Sequence, residues 1–127
     1  MANVGRIVAV SGPLVTAAFD QPVVQNEVGY AEVDGLRLKA ELIRVRGDTA
    51  DLQVFEDTTG LFVGGRLEFT GEMLSAELGP GLLGLVVDGL QNPLVELAEA
   101  SGYFLARGQY LAPIDRERRW AFTPSVA

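Results

Sequence analysis

Turn signals recur at short intervals along the first part of the chain, and their spacing constrains the fold more than any other feature. The signals are Gly12-Pro13, Asp34-Gly35, Gly47-Asp48 and Gly64-Gly65. Asp34-Gly35 is the strongest of them, because two-residue hairpin turns need positive φ angles that Asp and Gly tolerate. Short segments bounded by such signals are typical of the strands of an all-β domain.

The segments between these turns alternate apolar and polar side chains. From Leu36 to Val45, the apolar residues alternate with Arg37, Lys39 and Glu41, and Thr49–Phe55 repeats the pattern. A period of two predicts half-buried strands. Further strands are predicted at Val4–Val10, Leu14–Phe19, Val28–Ala31 and Arg66–Thr70. About six short strands predict a small closed antiparallel β-barrel, because closure removes the exposed strand edges.

A glycine-rich stretch, Leu74–Leu94, follows the predicted barrel. Its glycines allow positive φ angles and close backbone approach, which predicts tight turns around one or two helical turns. Pro93 at the first turn of a helix, with Asn92 as the N-cap, predicts a short helix that ends at Gly102. This stretch is interpreted as a connector between the barrel and a larger body.

The end of the chain predicts an incomplete β segment. Trp120, Phe122 and Val126 alternate with other residues, which predicts a last strand without a later partner. The fold is therefore predicted to be mainly β, with a six-stranded closed antiparallel barrel, a short helical connector and this incomplete segment. The corresponding ranges are 1–71, 72–102 and 103–127.

Composition excludes several classes of function. The chain has no Cys and no His, which excludes disulfides, Cys/His zinc sites and an imidazole base. Its net charge of −7 argues against nucleic acid as a partner. No apolar run is long enough to span a membrane, so we expect a cytoplasmic protein, or one peripheral to a membrane without direct insertion.

No motif in the sequence supplies catalytic chemistry. The only lysine, Lys39, lies within a predicted strand, so no G-x-x-x-x-G-K-[ST] phosphate-binding loop is present. The glycines of Gly79–Gly89 have acidic neighbours, which favours structural turns over a phosphate cradle. Glu56-Asp57 is interpreted as a solvated turn rather than an acid/base pair or Ca²⁺ site. No catalytic, cofactor or metal residue is assigned.

Two clusters near the end of the chain allow both a binding and a structural interpretation. One cluster of arginines suits the binding of an anion, but the favoured interpretation is a solvated strand face. The cluster consists of Arg116, Arg118 and Arg119. Trp120 and Phe122 suit a stacking platform, although their alternation favours a core or an interface.

Several motifs together resemble the catalytic A (alpha) subunit of V-type/A-type rotary ATPases, in the same order along essentially the whole chain. Asn92 departs from that pattern, because the family usually carries an arginine before this Pro-Leu. The matching motifs are GRIVAVSGPLV at Gly5–Val15, LIRVRGDTADLQVFE at Leu42–Glu56, FEDTTGL at Phe55–Leu61, LSAELGPGLLG at Leu74–Gly84, DGLQNPL at Asp88–Leu94 and ARGQYLAPIDRERRWAFTPSV at Ala106–Val126.

The resemblance implies a structural role for this region. In that family, N-terminal barrels of alternating A and B subunits form a crown that holds a hexameric head together. ATP and Mg²⁺ would bind in parts of the full-length subunit beyond residue 127, so this region is expected to be inactive alone. Residues 103–127 would begin an inserted bulge domain. The joint between barrel and body is assigned to Glu77, Leu78, Gly79, Pro80 and Gly81, with a positive-φ glycine as the physical reason.

Two other hypotheses remain open at this stage. One is a stand-alone barrel module, derived from that subunit, that regulates or caps an assembly. The other is an unrelated RNA-binding barrel, which the acidic charge disfavours. Self-association through the barrel flank or the last strand is also expected.

Overall fold

A computed structural model describes residues 3–102 and 104–125, and the chain divides into two compact units, Met1–Ser75 and Ala76–Ala127. In the described residues, the regular structure of the first unit is all β, and that of the second is a 3₁₀ turn and a short α-helix. The predicted division into three ranges stays a prediction. The strands are β1 (Asn3–Ser11), β2 (Leu14–Ala18), β3 (Glu27–Val33), β4 (Leu36–Arg46), β5 (Thr49–Val54) and β6 (Arg66–Met73).

The six strands form a closed barrel in the order β1-β2-β5-β4-β3-β6, which confirms the predicted fold. All neighbouring strands are antiparallel. The β3–β4 hairpin turns at Asp34 and Gly35, whose φ angles of 49° and 79° are both positive, as a two-residue hairpin turn of this kind requires. Closure leaves the described strands without a free edge for a further strand.

The predicted alternation places one face of each strand inside the barrel. On β4, Leu38, Ala40 and Leu42 are fully buried, whereas the intervening charged residues face outward. Burial of this apolar surface stabilises the barrel by roughly 25 cal/mol per Å². The core consists of Ile7, Val15, Ala17, Ala31, Val33, Leu38, Ala40, Leu42, Ala50, Leu52, Val54, Leu67 and Phe69.

One carboxylate is buried at an irregular point of the β3–β6 pairing. Glu27 is only 1% exposed, and the pairing register shifts directly after it. Its carboxylate accepts hydrogen bonds from the backbone N–H of Val24 at 3.1 Å and of Gly71 at 2.6 Å. Gly71 has a φ of 71°, so the chain turns sharply there. Glu27 thus ties the loop before β3 to the end of β6.

A second acidic side chain, Asp51 on β5, is almost fully buried in a polar network. Its carboxylate accepts hydrogen bonds from the Thr16 hydroxyl at 2.9 Å and the Arg46 guanidinium at 2.8 Å. The Thr16 bond, together with the bond and charge of Arg46, outweighs the opposing effect of burial and holds the pKa of Asp51 below its usual value. The network therefore favours the ionised carboxylate.

This lowered pKa predicts acid sensitivity of the barrel. The stabilisation by ionised Asp51 is fully present above its unfolded pKa of about 3.9 and is lost as pH falls through the lower folded pKa. Asp51→Asn should therefore reduce the free energy of unfolding at pH 7, and the difference from wild type should shrink toward pH 2–3. Urea unfolding at several pH values measures this, with exposed Asp48→Asn as the control. A pH-independent difference would contradict the prediction.

The second unit confirms part of the sequence prediction and corrects two points. The glycine-rich stretch contains a 3₁₀ turn at Pro80–Leu82, and helix α1 spans Leu94–Ser101 and ends at Gly102. The prediction of Asn92 as the N-cap is wrong. Pro93 occupies the N-cap position and makes no side-chain hydrogen bond there, and Asn92 is a buried residue before it.

The predicted last strand is also wrong for the part of the chain that is described. Residues 104–125 contain no strand, although Trp120 and Phe122 occupy alternate positions in the sequence. Alternation produces a strand only where a partner strand is available, and none pairs with this segment. The third residue of the pattern, Val126, lies outside the described residues. In the ranges 3–102 and 104–125, no helix is long and apolar enough to cross a membrane.

Candidate connector site

The five predicted joint residues lie at the start of the second unit, where Gln91 holds the first of them. The backbone N–H of Glu77 donates to the Gln91 side-chain oxygen at 2.7 Å, and the Gln91 amide donates back to the Glu77 carbonyl at 2.7 Å. The carboxamide thus satisfies both backbone groups of one residue, as a neighbouring strand would. Gln91 itself has a φ of 65°, in the left-handed region that non-glycine residues rarely adopt.

The side chain of Glu77 holds a distant segment through an ion pair. Arg116 Nε lies 3.1 Å from Glu77 Oε2, and a second nitrogen of the same guanidinium contacts Oε1. This two-point contact uses the planar fork of arginine against a carboxylate. Arg116 is largely exposed, so the pair contributes at most about 1 kcal/mol. Its effect is to fix the position of the Arg116 segment, which sequence patterns alone did not link to Glu77.

The physical reason given for glycine in the joint is wrong. Gly79 has φ 175° and ψ 171°, which is extended backbone, and Gly81 is not in the left-handed region either. A Cβ at Gly79 would lie 3.4 Å from Ile114 Cδ1, an ordinary contact distance. Neither φ nor space therefore requires glycine at these two positions. The left-handed glycine of this stretch is Gly84, with a φ of 80°.

Asp88 and Asn92 form a second cluster of hydrogen bonds in the connector. The Asp88 carboxylate accepts from the backbone N–H of Leu90 at 2.9 Å and of Asn92 at 2.8 Å, and from the Asn92 side-chain amide at 2.9 Å. The Asn92 side-chain oxygen accepts from the Leu111 backbone N–H at 2.9 Å. Asn92 is 3% exposed, so this cluster joins the turn before α1 to the segment after it.

Two other candidates from the sequence, Asp57 and Arg118, make contacts within the chain itself. Asp57 accepts hydrogen bonds from the backbone and hydroxyl of Thr59, as the turn interpretation of Glu56-Asp57 expects. Arg118 stacks over Trp120 with its guanidinium carbon 4.2 Å from the ring centroid. Among the described residues, no group of three or more acidic, His or Cys side chains is arranged to hold a metal.

The outer face of the barrel carries charged pairs among strands β3, β4 and β6. Arg37 on β4 lies 3.4 Å from Glu68 on β6. Arg66 on β6 lies 3.3 Å from Glu32 on β3 and 3.9 Å from Glu68. Arg37 also stacks over the Tyr30 ring at 4.2 Å. These side chains give the face a mixed charge pattern that suits side-by-side contact with another protein.

The sequence of this chain is similar to those of several known proteins. A model of the ATP synthase alpha/beta family, β-barrel domain, matches residues 7–71. The V-type ATP synthase alpha chain of Treponema denticola is 57% identical over 122 residues, which is 96% of this chain and 21% of the relative. The alpha chain 1 of Treponema pallidum is 59% identical over 123 residues, and the alpha chain of Protochlamydia amoebophila is 47% identical over 122 residues. These two matches include 97% and 96% of this chain. In each of them the chain spans only 21% of the relative's length.

Proposed function

Because this chain belongs to the ATP synthase alpha/beta family, we propose that it is the N-terminal barrel region of the A subunit of a V/A-type rotary ATPase. In this role the barrel packs beside neighbouring B subunits and holds the A/B hexamer together. The observation that carries the proposal is a closed barrel in a chain that is 47–59% identical to V-type ATP synthase alpha chains over most of its length.

Barrel closure determines how such packing takes place. A closed barrel has no unpaired strand edge, so it cannot join a neighbour by adding a strand. Association must use side chains on the outer face, where Arg37, Arg66, Glu32 and Glu68 form a mixed-charge surface. The core is complete within the barrel, which lets the barrel keep its shape while other parts of an assembly move.

The connector has a conformational role in this proposal. Glu77, Leu78, Gly79, Pro80 and Gly81 form the joint between the barrel and the rest of the subunit, and the Gln91 and Arg116 contacts hold its first residue. ATP and Mg²⁺ bind to other parts of the full-length subunit, where hydrolysis or synthesis is coupled to proton or sodium transport. This region is not catalytic by itself and lies at the membrane periphery as part of the complex.

Association with a B subunit tests the proposal directly. Sedimentation velocity of the chain mixed with the B subunit from the same source should show a faster species that contains both proteins. An unrelated protein of similar size and net charge serves as the control and should not form this species. Sedimentation of the two proteins as separate species would contradict the proposal.

A stand-alone barrel module that regulates assembly is the alternative. The intact mass of the endogenous protein, captured with an antibody to this chain, separates the two. A product several times larger than 13.6 kDa supports a region of a subunit, whereas a 13.6 kDa product supports the stand-alone module.

A further inference from the structure

Two arginines face each other on the outside of the barrel. Arg6 on β1 and Arg66 on β6 are direct cross-strand partners in the antiparallel register. Like charges at directly opposed positions repel each other and disfavour the pairing of their strands. The barrel keeps this arrangement although the chain as a whole is acidic, with a net charge of −7.

The two arginines differ in how their charges are matched. Arg66 contacts Glu32 at 3.3 Å and Glu68 at 3.9 Å. Arg6 is exposed and forms no ion pair with any residue in the ranges 3–102 and 104–125. Asp20 lines the same cleft as both arginines, and no ion pair joins its carboxylate to either of them in those ranges. Arg6 therefore presents to a partner a guanidinium that no ion pair with those residues occupies.

Arg6 and Arg66 line a cleft of about 460 Å³ on the barrel. Glycine backbone forms part of its wall, at Gly64 and Gly65, so no side chain fills the space there. The N–H groups of these glycines already donate to the carbonyls of Ile7 and Phe62. The arginine side chains are therefore the donors that this part of the cleft offers to an incoming group.

We propose that this cleft receives an Asp or Glu side chain from the neighbouring subunit, with Arg6 as its principal partner. This inference rests on the proposed function and assigns a specific contact to it. Arg66 already binds carboxylates, and the arginine fork matches a carboxylate in two-point geometry. Val4 beside the cleft and Val63 next to Gly64 are 40% and 67% exposed, which gives the apolar surroundings of a protein interface. The acidic net charge disfavours a free polyanion as the occupant.

Binding of the full chain to the B subunit, measured by titration calorimetry, tests this contact. Arg6→Gln should weaken binding about tenfold and flatten its dependence on NaCl concentration, because one charged contact is lost. Arg6→Lys keeps the charge without the fork and should retain the salt dependence. Arg44→Gln is the matched control, since Arg44 is also exposed on a strand but does not line the cleft.

The outcomes separate this inference from the proposed function. If wild type binds and Arg6→Gln binds as tightly as Arg44→Gln, the cleft contact is wrong while barrel packing stands. If wild type does not bind the B subunit, the proposed function fails and the contact fails with it. Binding of inorganic phosphate to wild type but not to Arg6→Gln, at concentrations that displace no B subunit, would assign the cleft to a free anion and overturn the proposal.

Discussion

Replacing Gly5 with alanine should destabilise the barrel by about 2–3 kcal/mol, because the added methyl group has no space. A Cβ at Gly5 would lie 2.6 Å from the Ala18 carbonyl oxygen and 2.7 Å from Cε2 of Phe69. The carbonyl belongs to the backbone of the neighbouring strand, and Phe69 is part of the packed core. Neither group can move without disturbing strand pairing or core packing. The melting temperature of the barrel should fall by about 10 °C or more.

Gly89→Ala is the matched control for this substitution. No atom lies within 4 Å of a Cβ built at Gly89, and its φ is outside the left-handed region. Alanine there should be neutral or slightly stabilising, because it reduces the conformational freedom of the unfolded chain. Thermal unfolding followed by far-ultraviolet circular dichroism measures both variants. Equal melting temperatures for Gly5→Ala and wild type would show that the barrel relaxes around the methyl group.

The fold of the first unit could be predicted because its signals are local. Alternation along β4 identified the face of Leu38, Ala40 and Leu42 that the structure buries. Asp34-Gly35 identified the sharpest turn, because the φ angles of such a turn are properties of two adjacent residues. Closure followed from the number of strands, since a closed sheet is the simplest way to leave no exposed edge.

Other features depend on contacts between residues far apart in sequence. Glu27 is buried because its carboxylate meets the backbone of Gly71, which lies 44 residues later. Gly5 is required by the carbonyl of Ala18 on a neighbouring strand rather than by its own backbone angles. Arg6 faces Arg66 only because β1 and β6 close the barrel. A glycine within a strand pattern is the one local signal that points to such a close approach.

The contacts that hold the connector at the candidate site are also made by residues far apart in sequence. The sequence indicated the turns and the helix of residues 74–102, but it did not show what holds them. Glu77 is fixed by Gln91 and by Arg116, which is 39 residues away. The rule that glycine signals a left-handed φ applies to Gly84 and fails for Gly79, which is extended. Local rules thus predicted the elements of the connector, whereas its tertiary contacts required the structure.

Asn92→Ala should speed amide exchange in the connector. The amide at which exchange accelerates distinguishes a tertiary link from a helix cap as the role of Asn92. Alanine leaves the Leu111 N–H without its acceptor and removes a donor from Asp88. An unsatisfied buried group costs about 1–3 kcal/mol, so amide exchange at Leu111 should accelerate about 10- to 100-fold. Hydrogen exchange followed by nuclear magnetic resonance measures this amide directly.

The location of the change decides between a tertiary link and a helix cap. If Asn92 joins the turn to the Leu111 segment, protection falls at Leu111, while the first amides of α1 and the barrel core keep theirs. If Asn92 acted as the N-cap, protection would instead fall at Leu94 and Val95, because the side chain of an N-cap residue accepts from the second or third amide of the helix. Gln53→Ala, which removes an exposed amide on β5, should change neither group. Loss confined to the first turn would restore the capping role, since Leu111 would then depend on other contacts.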